Sequence, residues 1–207
     1  MDERTALRML AADLAGAGDD AAVVDEIVIT TDMLHETTDF PTGTSRYTAG
    51  WRAVGASLSD VAAMGATATA AVAVYAAPEF DESDLQTFVD GARDVCAAVD
   101  AEYVGGDLDG HREFTVATTA IGETDDPVRR TGATPGDAVC VTGTLGRSAA
   151  ALRFFEDGDV ERGNDLFRFT PRVAAGEVLR DHATAMMDSS DGLARSLHQL
   201  AEASDCG

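Results

Sequence analysis

The chain has 207 residues, 45% of them hydrophobic, so it is long enough to bury a sizeable core. Its 37 acidic residues outnumber its 15 basic ones, all of them arginine, which gives a formal net charge of -22. Such an acidic surface repels the phosphate backbone of nucleic acid. The absence of lysine excludes a GxxxxGK[ST] phosphate loop. No apolar run approaches the ~20 residues that a membrane span needs.

In chain order, the first 125 residues carry alternating signals for helices and strands. Strands are predicted at residues 21–31, 67–77, 102–104 and 113–122, and helices at about 4–15, 45–64 and 82–99. Residues 32–44 are predicted to form a polar loop, and Gly105-Gly106-Asp107 a turn. These elements predict an N-terminal four-stranded sheet with helices on one face.

A polar stretch at residues 123–136, with two prolines and two adjacent arginines, predicts a domain boundary. The predicted domains are therefore residues 1–125 and 126–207. Beyond the boundary, strands are predicted at 137–143 and 183–187, helices at 147–156, 171–180 and 191–203, and a loop at 157–164. The fold class is α/β (α+β). Because two strands make a poor sheet, we expect the C-terminal α/β domain to be incomplete and the chain to be a C-terminally truncated fragment.

Aspartates stand at the ends of several predicted elements, many of them beside glycine turns. The positions are Asp19, Asp20, Asp32, Asp60, Asp107, Asp188 and Asp191. Mg²⁺ takes a few carboxylates, keeps some waters and binds substrate phosphates through its remaining positions. Converging aspartates therefore predict a magnesium site, while an ordinary role in a turn, a helix cap or a solvated surface stays open for each residue.

Asp60 is the strongest single candidate. It lies near the C-terminal end of its predicted helix, where the helix dipole disfavours an anion by ~0.3–1 kcal/mol. Its helical face holds Ala53, Ser57 and Met64, whereas the bulky apolar stripe lies elsewhere. A cation opposite Asp60 would explain this placement; a solvated surface aspartate is the alternative.

Two further features are candidates for phosphate contacts. The sequence Gly143-Thr144-Leu145-Gly146 stands between a predicted strand and a predicted helix, where a phosphate can rest on the helix N-terminus. The pair Arg129-Arg130 can clamp a phosphate. A plain turn and a linker salt bridge are the simpler explanations of these two features.

Seven motifs cover nearly the whole chain. They are GDDAA at 18–22, TTDML at 30–34, LSDVAAMGA at 58–66, VGGD at 104–107, RTGATPGD at 130–137, VTGT at 141–144 and DSSDGL at 188–193. In this order they resemble the thiamine-monophosphate kinase family. That family belongs to a superfamily with aminoimidazole-ribotide synthetase, selenophosphate synthetase and hydrogenase-maturation carbamoyl dehydratase.

The resemblance implies a transferase of thiamine biosynthesis that uses ATP to convert thiamine monophosphate to thiamine diphosphate. The implied mechanism is direct in-line phosphoryl transfer assisted by several Mg²⁺ ions, with no catalytic nucleophile or base from the protein. The implied partners are ATP, thiamine monophosphate and a second copy of the chain, with the N-terminal sheets joined across the two-fold axis near the active sites.

The motifs also assign residues by position. The implied Mg²⁺ ligands are Asp20, Thr30, Thr31, Asp32, Asp60, Asp107, Asp188 and Asp191. The implied nucleotide contacts are Gly106, Asp107, Arg130 and Ser190. Relatives usually carry a substrate-binding histidine just before a phenylalanine, whereas here Asp39 precedes Phe40. We expect Asp39 to bind the substrate, because its charge suits the cationic thiazolium.

The composition also predicts the setting of the protein. Cys96, Cys140 and Cys206 are widely spaced without a CxxC pattern, which indicates reduced thiols in a cytoplasmic protein. The net charge of -22 would destabilise the fold by self-repulsion, and molar salt screens such repulsion. We therefore expect a halophilic protein, with an acidic protein of ordinary cells as the alternative, and neither nucleic acid nor membrane as a partner.

Two other functions stay open from the sequence. One is another ATP-using activity of the same superfamily, on an aminoimidazole or selenide substrate. The other is a truncated, non-catalytic module that binds metal or a protein partner.

Overall fold

The structure is a computed structural model that describes residues 17–206 together with Thr5, Ala6, Met9 and Leu14. The helix predicted at residues 4–15 falls mostly outside the described residues. Five strands form one sheet: β1 (Ala22–Val24), β2 (Ile27–His35), β3 (Thr67–Ala77), β4 (Glu102–Gly110) and β5 (Thr115–Glu123). The strand order is β1-β2-β5-β3-β4, and all neighbours are antiparallel except β3 and β4.

The helices complete an α/β architecture, which confirms the predicted class. They are α1 (Glu36–Asp39), α2 (Arg46–Ala63), α3 (Glu82–Ala97), α4 (Arg147–Glu156), α5 (Val160–Phe167), α6 (Val173–Arg180) and α7 (Leu193–Ala203). The helix α2 packs on β2, β3 and β5, and α6 packs on α2 and β3. No helix among the described residues is both long and apolar enough to span a bilayer.

The sheet has five strands rather than the predicted four, because the stretch predicted as one strand at residues 21–31 is a hairpin. Asp25 adopts a left-handed conformation with φ 55°, so the chain reverses between Val24 and Ile27. Short polar residues tolerate this conformation in two-residue hairpin turns. The apolar pattern on both sides of Asp25 concealed the turn.

The strand β4 corrects a second prediction. The sequence Gly105-Gly106-Asp107 lies within this strand and not in a turn, in parallel register with Val72, Ala73 and Val74 of β3. A Cβ on Gly106 would lie 1.7 Å from the Ala73 carbonyl oxygen. Glycine at this position therefore serves a close approach of two strands, which a sequence reading cannot distinguish from a turn.

The pair α2 and α3 forms the helical layer over the sheet. Ser45 caps α2 by accepting a hydrogen bond from the Thr48 amide at 3.1 Å. A Cβ on Gly50 would lie 2.2 Å from the Phe88 carbonyl oxygen, and one on Gly91 2.0 Å from that of Tyr47. These two glycines let the backbones of α2 and α3 approach closely near the N-terminal end of α2.

The second half corrects three predictions. Residues 137–143 and 183–187 form no strands, because they hydrogen-bond to no partner strand in the described chain, and Val139 stays 67% exposed. The predicted loop at 157–164 contains most of α5, which Asp159 caps. The last helix, α7, begins at Leu193 after Gly192, two residues later than the predicted start at residue 191. Val173 and Phe167, which follow the predicted boundary, belong to apolar cores with residues of the first half, and the division into residues 1–125 and 126–207 stays a prediction.

The two faces of the sheet differ. On the face under α2 and α3, Val28 and Val116 are fully buried. The opposite face exposes a row of apolar side chains. They are Ile27, Ile29, Met33, Val72 and Val74.

Candidate active site

An open cleft of about 1520 Å³ lies between the sheet half and the helical half of the chain. The C-terminal part of α2 and the helix-facing side of β2 form one wall. The loop after α6 and the segment around Arg130 form the other. Among the predicted site residues, those that border the cleft are Asp20, Thr30, Thr31, Asp32, Asp39, Asp60, Arg130, Asp188 and Ser190.

Asp20, Asp60 and Asp188 form the centre of this cleft. Each offers a carboxylate oxygen, and these oxygens lie within 4.8 Å of one another. Asp60 comes from the last turn of α2, Asp20 from the turn before β1, and Asp188 from the loop before α7. Three distant parts of the chain therefore place carboxylates at one point, as the spacing of the aspartates predicted.

Asp60 is held by the sheet. The Thr30 hydroxyl on β2 donates to its carboxylate at 2.8 Å. Asp32 lies two residues further along β2, on the same side of the strand as Thr30. Burial, followed by the negative charge of Asp32, raises the pKa of Asp60 to about 8. Burial also raises the pKa of Asp32.

Arg130 and Ser190 complete the centre. The Arg130 guanidinium donates to both Asp20 oxygens, at 2.6 and 3.3 Å, and the Asp20 side chain is only 1% exposed. Burial and the charge of Asp20 raise the pKa of Asp188, and a hydrogen bond from Ser190 opposes that shift. Arg130 thus neutralises the charge of Asp20, whereas the raised pKa values of Asp60 and Asp188 mean that these two carboxylates resist ionisation without a further cation.

The donor set suits a hard divalent cation. Burial first, and then the charge of a neighbouring carboxylate, raises the pKa of Asp60 and of Asp188, so these groups resist ionising together unless a cation lies among them. Oxygen-only ligands around a cleft with room for waters and phosphates are what Mg²⁺ requires. The residues Asp20, Asp32, Asp60 and Asp188 therefore fit the Mg²⁺ site that the sequence predicted.

Three predicted residues do not reach the cluster within this chain. Gly106 and Asp107 do not border the cleft. Strand register places Asp32, Thr118, Ala73 and Gly106 in one row across β2, β5, β3 and β4. Three strand spacings separate Asp32 from Gly106, or ~14 Å. Asp191 is exposed and pairs with Arg195 at 3.3 Å.

Thr31 and Asp39 border the cleft in other ways. The Thr31 hydroxyl donates to the Thr118 carbonyl at 2.8 Å. Asp39 ends α1, and its carboxylate accepts hydrogen bonds from the His35 amide and the Thr38 hydroxyl, both at 2.8 Å. Its charge raises the pKa of Arg52, against the larger effect of burial. Asp39 therefore presents a fixed anion at some distance from the cluster.

Sequence reasoning missed three arginines that border the same cleft, namely Arg52, Arg147 and Arg172. Arg52 lies on α2, eight residues before Asp60. Its guanidinium carbon lies 3.8 Å from the centroid of the Phe167 ring. The sequence signal for this part of the cleft is the stretch at residues 143–146, which is a candidate phosphate contact or a plain turn and directly precedes Arg147.

Comparison with known proteins gives concordant results. Residues 18–124 match the family model described as AIR synthase related protein, N-terminal domain. A thiamine-monophosphate kinase of Halobacterium salinarum is 72% identical over 207 residues, which is all of this chain and 72% of that protein. One from Methanospirillum hungatei is 44% identical over 91% of this chain and 66% of its own length.

A solved structure agrees with these relatives. The structure described as AaThiL complexed with AMPPCP and TMP superposes with a TM-score of 0.91 at 29% identity, over 98% of this chain and 70% of that one. The chain thus spans about two thirds to three quarters of the length of the proteins it matches.

Proposed function

The chain belongs to the thiamine-monophosphate kinase family of enzymes, and on that premise we propose that it transfers the γ-phosphate of ATP to thiamine monophosphate. The observation that carries this proposal is the convergence of Asp20, Asp60 and Asp188 within 4.8 Å, beside Arg130, in an open cleft. A divalent cation held there would let the cleft accept polyanions, which an acidic surface otherwise repels.

Asp20, Asp32, Asp60 and Asp188 would hold Mg²⁺. Bound there, Mg²⁺ supplies positive charge that neutralises the phosphates of both substrates and lets them approach in line. Thr30 keeps the Asp60 carboxylate oriented toward the cleft through its 2.8 Å hydrogen bond. The acceptor is a phosphate oxygen that is already anionic, so the chain needs no general base.

Arg130 and Ser190 are proposed to contact the nucleotide. The Arg130 guanidinium has five N–H donors, and Asp20 occupies only its Nε and Nη2. The remaining donors are left for a nucleotide phosphate in the cleft that Arg130 borders. Ser190 stands at the mouth of the cleft beside Asp188.

We further propose that the enzyme is a homodimer joined through the open face of the sheet. That face exposes a row of apolar side chains, namely Ile27, Ile29, Met33, Val72 and Val74. Exposing such a row to water is unfavourable, and exposed apolar patches are typical of protein interfaces. Gly106 and Asp107, on the edge strand β4, lie ~14 Å from Asp32 of their own chain by strand spacing. A second copy packed on this face would supply them to the cleft, where the family motif assigns them to metal and nucleotide.

Asp39 is proposed to bind the acceptor. Its carboxylate is fixed by two hydrogen bonds and borders the cleft away from the carboxylate cluster. An anion there would attract the thiazolium cation while the acceptor phosphate points to the metal ligands. Loss of affinity for thiamine monophosphate in Asp39→Asn, with ATP affinity unchanged, is the expected result.

The acid excess supports a halophilic, cytoplasmic enzyme. Its 72% identical relative comes from Halobacterium salinarum. Unfolding measured against KCl should show the melting temperature rising from low to molar salt, because screening removes carboxylate repulsion. A melting temperature that stays constant or falls as KCl rises would contradict the halophilic interpretation and favour an acidic protein of ordinary cells.

The activity itself is tested by incubating the 207-residue chain with ATP, Mg²⁺ and thiamine monophosphate in molar KCl and separating the products. We expect ADP and thiamine diphosphate in equal amounts. ATP consumed only with an aminoimidazole precursor or selenide would indicate another activity of the superfamily. Metal binding without any transfer would indicate a non-catalytic module.

A further inference from the structure

Arg52, Arg147 and Arg172, the arginine group, border the cleft away from the carboxylate cluster. Arg52 lies eight residues before Asp60 on α2, so their Cα atoms are ~12 Å apart along the helix axis. All three arginines border residues 143–148. Arg52 donates to the Ser148 hydroxyl at 3.4 Å, and a Cβ on Gly143 would lie 2.7 Å from Arg172 Nη2.

The arginine group places three guanidinium groups in one cleft, and none of the three has a carboxylate partner among the described residues. Arginines elsewhere in the described chain that pair with a carboxylate are Arg46, Arg129, Arg130, Arg153, Arg168, Arg180 and Arg195. Arg52 instead donates to the Phe167 carbonyl at 3.1 Å, and Arg147 to the carbonyls of Asp165 and Arg168. With acidic residues so abundant, three unpaired cations in one cleft point to an anion from outside the chain.

Burial sharpens this argument for Arg52. Burial lowers the pKa of Arg52 to about 10, although the charge of Asp39 opposes the shift. The guanidinium therefore stays charged at neutral pH and pays for desolvation without an ion pair within 4 Å. The hydrogen bonds of Arg52 to Ser148 and to the Phe167 carbonyl use only its Nη1. Its other donors remain for a ligand in the cleft.

We propose that the arginine group is an oxyanion site that binds a phosphate group directly, with no bridging metal ion. Guanidinium groups bind phosphate oxygens in bidentate fashion, and several of them around one phosphate supply both charge and geometry. The carboxylate cluster works in the opposite way, since it repels a phosphate until a cation lies between them. The two ends of the cleft are thus complementary binding sites for phosphorylated ligands.

The identity of the ligand that carries this phosphate rests on the proposed function. The phosphate is either a phosphate of ATP that is not transferred, or the phosphate of thiamine monophosphate as it enters the cleft. Both present the same chemistry to the arginines, and titrations with each ligand separate them.

The test compares two double variants with equal loss of charge. Arg147→Met/Arg172→Met removes the two exposed members of the arginine group. The matched control, Arg112→Met/Arg162→Met, removes two exposed arginines that also lack a carboxylate partner in the described chain but lie outside the cleft. Circular dichroism melts check that both fold. A further variant, Arg52→Lys, keeps the positive charge but loses the planar guanidinium group that binds phosphate in bidentate fashion.

Calorimetry then measures four titrations on each protein: pyrophosphate in excess chelator, thiamine monophosphate in chelator, thiamine in chelator, and ATP with Mg²⁺. We expect pyrophosphate to bind the wild type and to bind Arg147→Met/Arg172→Met at least tenfold more weakly, with the control within twofold. If Arg147→Met/Arg172→Met also loses affinity for thiamine monophosphate, but not for thiamine, the acceptor supplies the phosphate that the arginines bind. A parallel loss for ATP alone identifies the nucleotide.

Failure of this proposal is distinguishable from failure of the proposed function. Pyrophosphate that does not bind the wild type, or that binds both double variants equally, overturns the arginine site even if the chain transfers phosphate. Selective loss of pyrophosphate binding in a chain that makes no thiamine diphosphate upholds the site and contradicts the kinase activity.

Discussion

The two walls of the cleft are built differently. The sheet wall, from β2 and α2, carries Thr30, Asp32 and Asp60 on elements packed against a continuous apolar core. The opposite wall carries Arg130 and Asp188 on segments without strands, held by single contacts such as the Met186 amide to the Arg129 carbonyl at 2.9 Å. Under the proposed function, we infer that the sheet wall holds Asp32 and Asp60 in fixed positions for the metal, whereas Arg130 and Asp188 come from segments without strands.

The largest effect should come from the sheet wall. Asp60→Asn removes a carboxylate from the centre of the cluster, so phosphate transfer should fall by at least about 100-fold, the upper range for losing even an indirect metal contact. Steady-state assays with excess Mg²⁺ measure this, and Asp90→Asn on the exposed side of α3 serves as the control. Normal turnover in Asp60→Asn would make Asp60 an ordinary buried aspartate.

The same wall should dominate stability. Leu58 on α2 is fully buried, so Leu58→Ala should lower the free energy of unfolding by about 2–5 kcal/mol through lost transfer energy and a cavity. Leu152 is 43% exposed, and Leu152→Ala should cost much less. Denaturant melts compare them. Equal losses would show that the helical half is packed as firmly as the sheet half.

The opposite wall should affect ligand affinity. Arg130→Met removes charge-assisted donors near the phosphates and should raise the Kd for ATP with Mg²⁺ about tenfold or more, equivalent to ~1.4 kcal/mol. Arg129→Met is the matched neighbour, since Arg129 pairs with Asp19 instead. If both variants bound ATP equally well, Arg130 would be only a salt-bridge partner of Asp20.

The pH dependence of stability tests the buried charge on the sheet wall. Burial raises the pKa of folded Asp60 from its ordinary 3.8 to about 8, so its protonated form favours folding. That stabilisation is complete below the ordinary value and disappears as the pH rises through about 8. In chelator, Asp60→Asn should therefore gain melting temperature over the wild type progressively from pH 5 to 8. A constant difference would contradict the raised pKa.

The smallest effect is expected at Asp191. Its carboxylate is exposed and pairs with Arg195 one helical turn away, an arrangement that contributes only a few tenths of a kcal/mol. Asp191→Asn should change Mg²⁺ affinity, measured by calorimetry in the presence of ATP, by less than about threefold. A tenfold loss would restore the metal role that the family motif assigns to it.

Sequence reasoning found local patterns more readily than pairing. The amphipathic helices α2 and α3 were predicted because their apolar residues repeat with helical spacing. The hairpin at Asp25 was missed because apolar residues on both sides concealed the turn, and the continuation of β4 through Gly105 was missed because glycines inside a strand look like a turn. The strands predicted at 137–143 and 183–187 did not form, since strand formation depends on a partner elsewhere in the chain.

The same distinction applies to the site. The motifs placed Asp20, Asp60 and Asp188 together although they are far apart in sequence, and the structure confirms that convergence. The three cleft arginines were missed because no motif connects Arg52 with Arg147 and Arg172. Their relation lies in the fold, which brings three arginines without a carboxylate partner to one cleft.

The most direct test of the central claim is anomalous diffraction from crystals of this chain grown with Mn²⁺ and a non-hydrolysable ATP analogue. The account predicts Mn²⁺ peaks bonded to carboxylate oxygens of Asp20, Asp60 and Asp188, at the ~2 Å typical of such ligands, with the triphosphate against them. Peaks confined to surface carboxylates, with the nucleotide absent from the cleft or bound elsewhere, would contradict it.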